Sequence, residues 1–474
     1  MLKTLSEKFL KVNQILPYKE DESYVYIYSP KPPEEEVLAY LELKFQKPIK
    51  VTLIDKNKFE KLFLEEILNQ EVEFEEDEKE EKDVSGAIVE LINDILNLAI
   101  SHKASDIHFE PFEKFMRVRI RVDGVLHTIK KIPKEDMSSV ITRLKIMAKL
   151  DIAQKRLPQD GKILYQKDGK KIDIRVSILP TVFGERAVLR LLYKNEGILS
   201  FKDLLIPSHL EERVKKIIKS PYGMILNTGP TGSGKITTLY AFLNEIKGED
   251  KNIITVEDPV EYQIEGINQV EVKSEIGFTF EKALRSILRQ DPDVIMIGEI
   301  RDKESAKIAV RAAITGHLVL STLHTNTALE VIPRLKDLEI ESYMISSAML
   351  LSIAQRLVRK LCPYCKEEYE PSFEELSLIC GKEKAKVLKD KKIKLFKAKR
   401  CEKCLNTGYM GRIAVYEFLF FDDKIKHMIA EDAPIENIKR YAFENKLYYP
   451  LILDAQEKIL KGLTDIKEVN RVLI

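Results

Sequence analysis

The chain has 474 residues, of which 44% are hydrophobic and 32% are charged, as in a globular protein of roughly two to four domains. Its 77 Lys and Arg residues balance 76 Asp and Glu residues, and the net charge of +1 argues against a dedicated nucleic-acid-binding protein. No apolar run approaches the roughly 18 residues of a membrane span, and the start MLKTLSEKFLKVNQ lacks a signal peptide's apolar core. We therefore expect a cytosolic protein that meets membranes through a partner.

Residues 1–70 predict a small α/β module. Short stretches such as Val37 to Phe45 alternate as a strand does, and Phe59 to Leu68 has a helical pattern. The run EVEFEEDEKEEK, from Glu71 to Lys82, is too charged to bury much surface. We interpret residues 71–84 as a solvated linker, with an acidic docking tail as the alternative.

Residues 85–200 predict an α+β domain. The segment from Ala87 to Ile100 has the spacing of an amphipathic helix. Two β-hairpins should follow, because RVRIRVDGVLHTI alternates around Asp123-Gly124 and ILYQKDGKKIDIRVSIL alternates around Asp168-Gly169.

After Tyr222, short apolar strands alternate with helical segments, which is the pattern of parallel strands joined by crossover helices. The predicted strands are Met224 to Leu226, Ile253 to Val256, Val294 to Ile297 and Leu318 to Leu320. We expect a nucleotide-binding α/β domain over residues 205–474. Its last stretch, from about Asp337, should be largely helical and interrupted by a cysteine region.

A glycine-rich loop follows the first of these strands and precedes the helix-like segment TTLYAFLNEI, in the order that phosphate-binding loops require. Glycines let the backbone amides turn toward phosphate oxygens, and Lys235 would reach the β and γ phosphates of ATP. The predicted ATP-binding residues are Gly229, Pro230, Thr231, Gly232, Ser233, Gly234, Lys235, Ile236 and Thr237.

Position 236 departs from the loop pattern, since Ile236 stands where a Ser or Thr hydroxyl binds Mg²⁺. Thr237 lies about 100° further around the helix, where it can contact a phosphate but does not replace that ligand. We expect nucleotide binding to persist and Mg²⁺ affinity and hydrolysis to fall. Three explanations stay open: a natural variant that uses water, a degenerate subunit, and a variant or error of this sequence.

Two acidic segments come at the ends of other predicted strands. Glu299, in GEIRD after DVIMIG, is placed to hold Mg²⁺ or its waters. Glu257, in EDPVE after NIITV, is placed to polarise the attacking water. Each alone would be only a charged loop, but together with the glycine-rich loop they indicate an ATPase site.

Four of the five cysteines form two CxxC pairs, which in a cytosolic protein favour a metal over disulfides. The predicted ligands of a structural Zn²⁺ ion, within an element of residues 355–412, are Cys362, Cys365, Cys401 and Cys404. Four free thiols are the alternative. Cys380 falls between the pairs and is predicted to be a spare thiol.

From about residue 85 to the C-terminus the chain resembles the type II secretion and type IV pilus-assembly ATPases, GspE and PilB. The matching segments are ASDIHFEP at 104–111, RLPQDGKI at 156–163, GPTGSGK at 229–235, TVEDPVEY at 255–262, LRQDPDVIMIGEIRD at 288–302, AAITGHLVLSTLHTN at 312–326 and AQRLVRKLCPYC at 354–365. The resemblance implies a RecA-like P-loop NTPase domain with a parallel sheet, preceded by a PAS-like α+β domain and carrying a zinc-binding C-terminal insertion. It places Glu257 in the family's acidic box and Glu299 in its Walker B segment.

The resemblance also implies roles for histidines and arginines. His317 and His324 lie in a histidine box that senses the nucleotide, although without the resemblance both would be read as histidines that satisfy polar neighbours. Arginines of the middle domain approach the phosphates of the adjacent site, and we favour Arg175 and Arg190 for this role. We favour less, for the same role, the basic stripe along one predicted strand, which consists of Arg117, Arg119 and Arg121.

The function implied by the resemblance is that of a cytoplasmic homohexameric motor, peripheral at the inner membrane, which uses ATP, Mg²⁺ and a structural Zn²⁺. It would drive type II secretion or type IV pilus assembly through an inner-membrane platform protein, with the N-terminal module bound to a membrane anchor's cytoplasmic domain. The zinc element marks the secretion and assembly branch, since retraction ATPases lack it. The alternatives are a weakly hydrolysing subunit, because of Ile236, and a nucleic-acid translocase. The neutral charge and the lack of a basic loop with aromatics count against direct nucleic-acid binding.

Overall fold

The computed structural model describes residues 10, 13–21, 23–45, 47–56, 58–59, 62, 81–167, 170–193, 199–391 and 393–473. These residues group into two compact units, one within Met1–Leu98 and Glu135–Leu144 and the other within Ala99–Lys134 and Lys145–Ile474. No helix in the described part of the chain is long and apolar enough to span a membrane.

The first unit contains a three-stranded sheet in the order β1-β2-β3, with β1 and β2 antiparallel and β2 and β3 parallel. Its elements are β1 (Leu16–Glu20), β2 (Val25–Ser29), α1 (Glu35–Phe45), β3 (Ile49–Leu53), most of α2 (Glu81–Ser101) and most of α3 (Met137–Met147). Val25 and Ile27 point inward from β2, and Leu41 of α1 is buried in the same core. The apolar side chains of alternate strand residues thus meet one face of a helix.

Two features predicted for this region, a strand near residue 40 and an acidic linker, differ from the structure or lie partly outside its described residues. The prediction of a strand from Val37 to Phe45 was wrong, because the segment lies in α1. Its Glu, Leu and Ala residues favour a helix, and a short apolar run fits either period. The predicted linker, residues 71–84, differs from the structure at its end, because residues 81–84 begin α2. Residues 71–80 and most of Phe59 to Leu68 lie outside the described residues.

The second unit begins with a six-stranded antiparallel sheet in the order β6-β5-β4-β9-β8-β7. Its strands are β4 (Asp106–Pro111), β5 (Phe115–Val122), β6 (Val125–Pro133), β7 (Gln159–Lys167), β8 (Lys170–Thr181) and β9 (Gly184–Tyr193). The hairpin at Asp123-Gly124 is confirmed, with positive φ at both turn residues. The second predicted hairpin joins β7 to β8, and its turn residues 168–169 lie outside the described part.

An eight-stranded sheet forms the centre of the same unit, in the order β12-β11-β13-β14-β10-β15-β18-β19. Its strands are β10 (Gly223–Thr228), β11 (Ile253–Glu257), β12 (Asn268–Glu271), β13 (Val294–Ile297), β14 (Leu318–Leu323), β15 (Met349–Leu361), β18 (Tyr409–Phe420) and β19 (Tyr448–Tyr449). All strands from β12 to β15 in this order run parallel, so the four predicted parallel strands are confirmed. Their carboxyl ends therefore meet at one edge, where ligands bind in such sheets.

Helices accompany this sheet along the chain. They are α4 (Ser208–Ile218), α5 (Lys235–Ile246), α6 (Phe280–Ile287), α7 (Lys303–Ile314), α8 (Val331–Asp337), α9 (Ser342–Ala348), α10 (Phe373–Asp390, bent at Gly381), α11 (Asp423–Ala430), α12 (Ile435–Glu444), α13 (Leu451–Leu460) and α14 (Ile466–Leu473). A two-stranded sheet pairs β16 (Glu367–Tyr369) with β17 (Leu395–Lys397).

The expectation that the chain is largely helical after Asp337 was wrong in part. Two long strands, β15 with 13 residues and β18 with 12, run antiparallel across this region. They pair although the segment with all four predicted zinc ligands, from Cys362 to Cys404, lies between them in sequence, and such pairing leaves no local sequence pattern. The β-branched and aromatic residues of β18, among them Val415 and Phe418, fit a buried strand.

A buried carboxylate ties the C-terminal helix to β15. Glu468 has no exposed surface, and it accepts hydrogen bonds from Arg359 Nη2 at 2.7 Å and from Arg471 Nη2 at 2.5 Å. Burial opposes ionisation of Glu468, but the two arginines outweigh it and lower its pKa from 4.5 to about 2. The ionised form therefore stabilises the fold.

We expect Glu468→Gln to lower the free energy of unfolding by about 3 kcal/mol at pH 7. The variant loses the interactions that lower the pKa of Glu468 from 4.5 to about 2, and a pKa difference of this size corresponds to about 3 kcal/mol. A depressed pKa contributes stability above pH 4.5 that is lost as the pH falls toward 2. The difference in free energy of unfolding between the unchanged chain and the variant, measured in urea, should therefore shrink as the pH falls from 4.5 toward 2. Glu444→Gln, at an exposed carboxylate, is the control, and an equal effect of both substitutions would contradict the expectation.

Candidate nucleotide-binding and tetracysteine sites

The glycine-rich loop lies between the end of β10 and the start of α5, at the carboxyl edge of the parallel sheet. Gly229, Gly232 and Gly234 all have positive φ, which only glycine adopts without strain. A Cβ atom on Gly229 would lie 2.4 Å from the carbonyl oxygen of Gln355, so this glycine also permits close packing against β15. The loop therefore has the backbone that a phosphate-binding loop requires.

Lys235 lies within this loop and is 8% exposed. Its Nζ donates hydrogen bonds to the carbonyl oxygens of Gly229 at 2.9 Å and Pro230 at 3.1 Å. Burial lowers the pKa of Lys235, while the negative charge of Glu299 acts in the opposite direction. The ammonium group and the Glu299 carboxylate thus lie within electrostatic reach of one another.

The residues after Lys235 face different surroundings. Ile236 is half-buried and packs against the large apolar core of the sheet. Thr237 is half-buried, whereas Thr238 is buried and donates its hydroxyl to Gln355 Oε1 at 2.9 Å. The side chain at position 236 thus offers no oxygen to Mg²⁺, in contrast to the usual pattern of such loops.

Glu299 follows β13 and lies at the same sheet edge, with its side chain 18% exposed. It accepts a hydrogen bond from Arg301, and His324 Nε2 lies 3.4 Å from its Oε2 atom. Burial opposes ionisation of Glu299, but Arg301 and His324 outweigh it and lower the pKa. The structure therefore brings together Lys235, Glu299 and His324, which come from three different strand ends.

Glu257 ends β11 and is 2% exposed. Three side chains donate to its carboxylate: Thr255 at 2.6 Å, Gln269 at 3.2 Å and Tyr240, which lies on α5. Burial and the neighbouring Glu257 carboxylate raise the pKa of Tyr240, so the phenol remains a donor. This network links the helix after the glycine-rich loop to the acidic segment.

His317 lies at the opposite edge of the parallel sheet from the glycine-rich loop. It directly precedes β14, and its carbonyl accepts from the amide of Gly223 at 3.1 Å, at the start of β10. The six residues of β10 separate this edge from the glycine-rich loop by roughly 20 Å. His317 Nδ1 is 3.0 Å from the carbonyl oxygen of Ala312. Within one chain the structure does not bring His317 to the loop, and its sensing role stays a prediction.

The arginine stripe of β5 is engaged with carboxylates of β4. Arg117 and Arg119 donate to Glu110 at 3.1 Å and 2.5 Å, and Arg121 Nε lies 3.4 Å from Asp106 Oδ2. Glu110 and Asp106 are 7% and 8% exposed. The stripe is therefore paired across two strands of the antiparallel sheet, and the preference for Arg175 and Arg190 over it stays a prediction.

Arg175 and Arg190 face each other in register across β8 and β9, and both are exposed. Arg190 Nε donates to Asp106 Oδ1 at 3.2 Å, yet 67% of its side chain stays accessible. Arg186, which the sequence did not single out, donates to His108 Nδ1 at 3.2 Å on the same face. Two accessible guanidinium groups side by side could receive an anion, and their phosphate role stays a prediction.

The four predicted metal ligands come together. Their Sγ atoms all lie within 4.8 Å of one another. The Sγ atoms of Cys401 and Cys404 are 3.6 Å apart, and those of Cys362 and Cys401 and of Cys365 and Cys404 are each 3.9 Å apart. Zn–S bonds of about 2.3 Å in a tetrahedron require S···S distances near 3.8 Å, so the donor set fits Zn²⁺. Burial opposes ionisation of Cys404, but backbone hydrogen bonds, that of Gly408 among them, lower its pKa to about 6.

The sequence did not single out Gln355, Arg301 and Tyr240, which contact Ser233, Glu299 and Glu257 respectively. Gln355 and Arg301 lie in the segments AQRLVRKLCPYC and LRQDPDVIMIGEIRD that carry the resemblance, and Tyr240 lies in the helix after the loop. For Gln355 and Arg301, position within these segments was therefore the available signal. Their contacts depend on strands that are distant in sequence, which a single sequence does not reveal.

Proteins of known family are similar to this chain over most of its length. The family model described as "Type II/IV secretion system protein" matches residues 80–471. The type II secretion system ATPase E of Vibrio cholerae is 46% identical over 406 residues, 85% of this chain and 79% of the relative. The type IV pilus assembly ATPase PilB of Thermus thermophilus is 45% identical over 383 residues, but these are 81% of this chain and only 42% of PilB.

Two solved structures share the fold. The pilus retraction motor PilT with bound ADP aligns with a TM-score of 0.52 at 27% identity, covering 80% of this chain and 95% of PilT. The Legionella pneumophila ATPase DotB aligns with a TM-score of 0.58 at 21% identity, covering 80% of this chain and 94% of DotB. With the family model and these relatives, the chain belongs to the type II/IV secretion system protein family and is an ATPase of that family.

Proposed function

We propose that this chain is a motor subunit that, as a homohexamer at the cytoplasmic face of the inner membrane, couples ATP hydrolysis to type II secretion or type IV pilus assembly. An inner-membrane platform protein would receive the motion, and residues 1–70 would bind the cytoplasmic domain of a membrane anchor. Support comes from relatives named for secretion and for pilus assembly at 46% and 45% identity.

The observation that carries the proposal is the position of Glu299. Its carboxylate lies near Lys235, with Arg301 and His324 as direct partners, at the edge where the parallel strands end. Loop amides and Lys235 would bind the phosphates, and Glu299 would hold Mg²⁺ or its waters. Magnesium, when bound, supplies positive charge to the β and γ phosphates.

The remaining predicted residues have supporting roles in this proposal. Glu257 would orient the attacking water through its network, because its own carboxylate is held by three donors. His324, in contact with Glu299, would respond to the nucleotide, and Arg175 and Arg190 would supply charge to a phosphate. Residues 85–200 and 205–474 would then be the two bodies whose relative rotation does the work.

The alternative is a subunit that binds nucleotide and turns over slowly. Ile236 favours it, because its side chain packs against the apolar core and carries no oxygen for Mg²⁺. Under this alternative Glu299 and water would be left to bind the metal without a hydroxyl ligand. The two functions differ in magnesium-dependent turnover.

We expect Ile236→Thr to raise the rate of ATP hydrolysis roughly 10- to 100-fold at limiting Mg²⁺, because it restores a missing metal ligand. Steady-state ATPase assays over a Mg²⁺ titration measure this, with Ile236→Val as the matched control that keeps an apolar, β-branched side chain. Turnover of the unchanged chain at saturating Mg²⁺, which Ile236→Thr raises only at limiting Mg²⁺, would support the motor with water as ligand. A silent chain that Ile236→Thr activates would support the slow subunit.

A further inference from the structure

Gln355 lies directly beneath the glycine-rich loop. It belongs to β15, which pairs in parallel with β10 so that Thr228 faces Ala354, and it is therefore level with the first residue of the loop. Its side chain is 1% exposed. A Cβ atom on Gly234 would lie 2.9 Å from Gln355 Nε2, so the loop backbone packs onto this amide group.

The side-chain amide of Gln355 makes three hydrogen bonds. Its Nε2 donates to the carbonyl oxygen of Ser233 at 2.8 Å. Its Oε1 accepts from Asn227 Nδ2 at 2.9 Å and from Thr238 Oγ1 at 2.9 Å. In the opposite orientation Oε1 would face the Ser233 carbonyl oxygen and the NH₂ group would face Asn227 Nδ2, so the amide cannot flip without losing its hydrogen bonds to Ser233 and Asn227.

The contact with Ser233 matters for the next amide of the loop. In a planar trans peptide the carbonyl of one residue and the N–H of the next point in opposite directions. A Ser233 carbonyl drawn toward Gln355 therefore turns the N–H of Gly234 away from β15. Phosphate-binding loops present such amides, turned out of the sheet, to phosphate oxygens.

We propose that Gln355 is a positioning residue for nucleotide binding: it fixes the Ser233–Gly234 peptide so that the Gly234 amide faces the phosphates. The proposal rests on nucleotide binding at this loop but not on the Mg²⁺ ligand or on motor function. A buried glutamine that only fills the core would not act on the loop backbone. If Gln355 positions the loop, its replacement weakens ADP binding more than a control substitution that lowers stability equally. If it only fills the core, the two substitutions leave ADP affinity equal.

The test is the dissociation constant of ADP in EDTA, where Mg²⁺ plays no part, together with thermal unfolding of the same full-length variants. Gln355→Met keeps the length of the side chain but removes its hydrogen bonds, and we expect ADP to bind about tenfold more weakly. Ser352→Ala is the matched control, since Ser352 is buried on the same strand and its hydroxyl donates to Ala328 instead of the loop. It should lower stability and leave ADP affinity unchanged.

Thr238→Val is a second test variant, because Thr238 would act on the loop through its hydrogen bond to Gln355. We expect it to weaken ADP binding a fewfold, and the double variant with Gln355→Met to bind ADP no more weakly than Gln355→Met alone. Additive losses, or ADP affinity in Gln355→Met equal to that of the unchanged chain, would overturn the proposal. If Gln355→Met does not fold, full ADP affinity in Thr238→Val overturns it. Failure of the unchanged chain to bind ADP would instead refute nucleotide binding itself.

Discussion

Glu299→Gln is expected to lower kcat for ATP hydrolysis by about 100- to 1,000-fold, a loss comparable to that from removing one stabilising group of a preorganised site. The substitution keeps the shape of the side chain and removes the charge that Lys235, Arg301 and His324 surround. Nucleotide binding should persist, because the loop amides and Lys235 are unchanged. The assay is steady-state hydrolysis beside a titration with ADP.

The measurement is made in the unchanged chain and in the Ile236→Thr background, so that slow turnover due to position 236 does not hide the effect. Glu304→Gln is the matched control, since Glu304 is an exposed carboxylate shortly after Glu299 in the chain. It should leave kcat within about twofold, as surface substitutions away from a site usually do. A Glu299→Gln variant that retains kcat in the Ile236→Thr background would remove Glu299 from the catalytic site.

Local sequence patterns predicted those parts of the fold that are local in the chain. The four parallel strands were visible because each is a short apolar run with a helical segment after it, and β10 to α5 carried the glycine spacing of a phosphate-binding loop. The turn at Asp123-Gly124 was visible because its residues adopt positive φ readily. In each case the determinant lies within about ten residues.

Parts that depend on distant pairing were not predictable. The pairing of β15 with β18 joins residues on both sides of the tetracysteine element, and its short apolar runs fit a helix as well as a strand. Gln355 contacts the glycine-rich loop only because β15 lies beside β10. The same holds for Tyr240, whose contact with Glu257 joins α5 to β11.

Cys404→Ser is expected to abolish binding of one Zn²⁺ per chain and to destabilise the C-terminal element by on the order of 5 kcal/mol. Structural zinc sites contribute about 10–16 kcal/mol of apparent binding free energy, and a three-thiolate site keeps only part of it. The element also ties together long strands, since the amide of Cys362 donates to the carbonyl of Gly408 just before β18. Zinc content by mass spectrometry and limited proteolysis of residues 362–408 measure both effects.

Cys380→Ser is the control for this prediction, because Cys380 lies on α10 and outside the group of four thiols. It should leave both zinc content and protease resistance unchanged, whereas Cys404→Ser should expose the segment between the CxxC pairs to cleavage. The expected loss follows from the geometry, since one serine hydroxyl in place of a thiolate leaves a buried site with three negative ligands and an incomplete tetrahedron. If Cys404→Ser retained one zinc per chain and full protease resistance, the four thiols would not be a structural metal site.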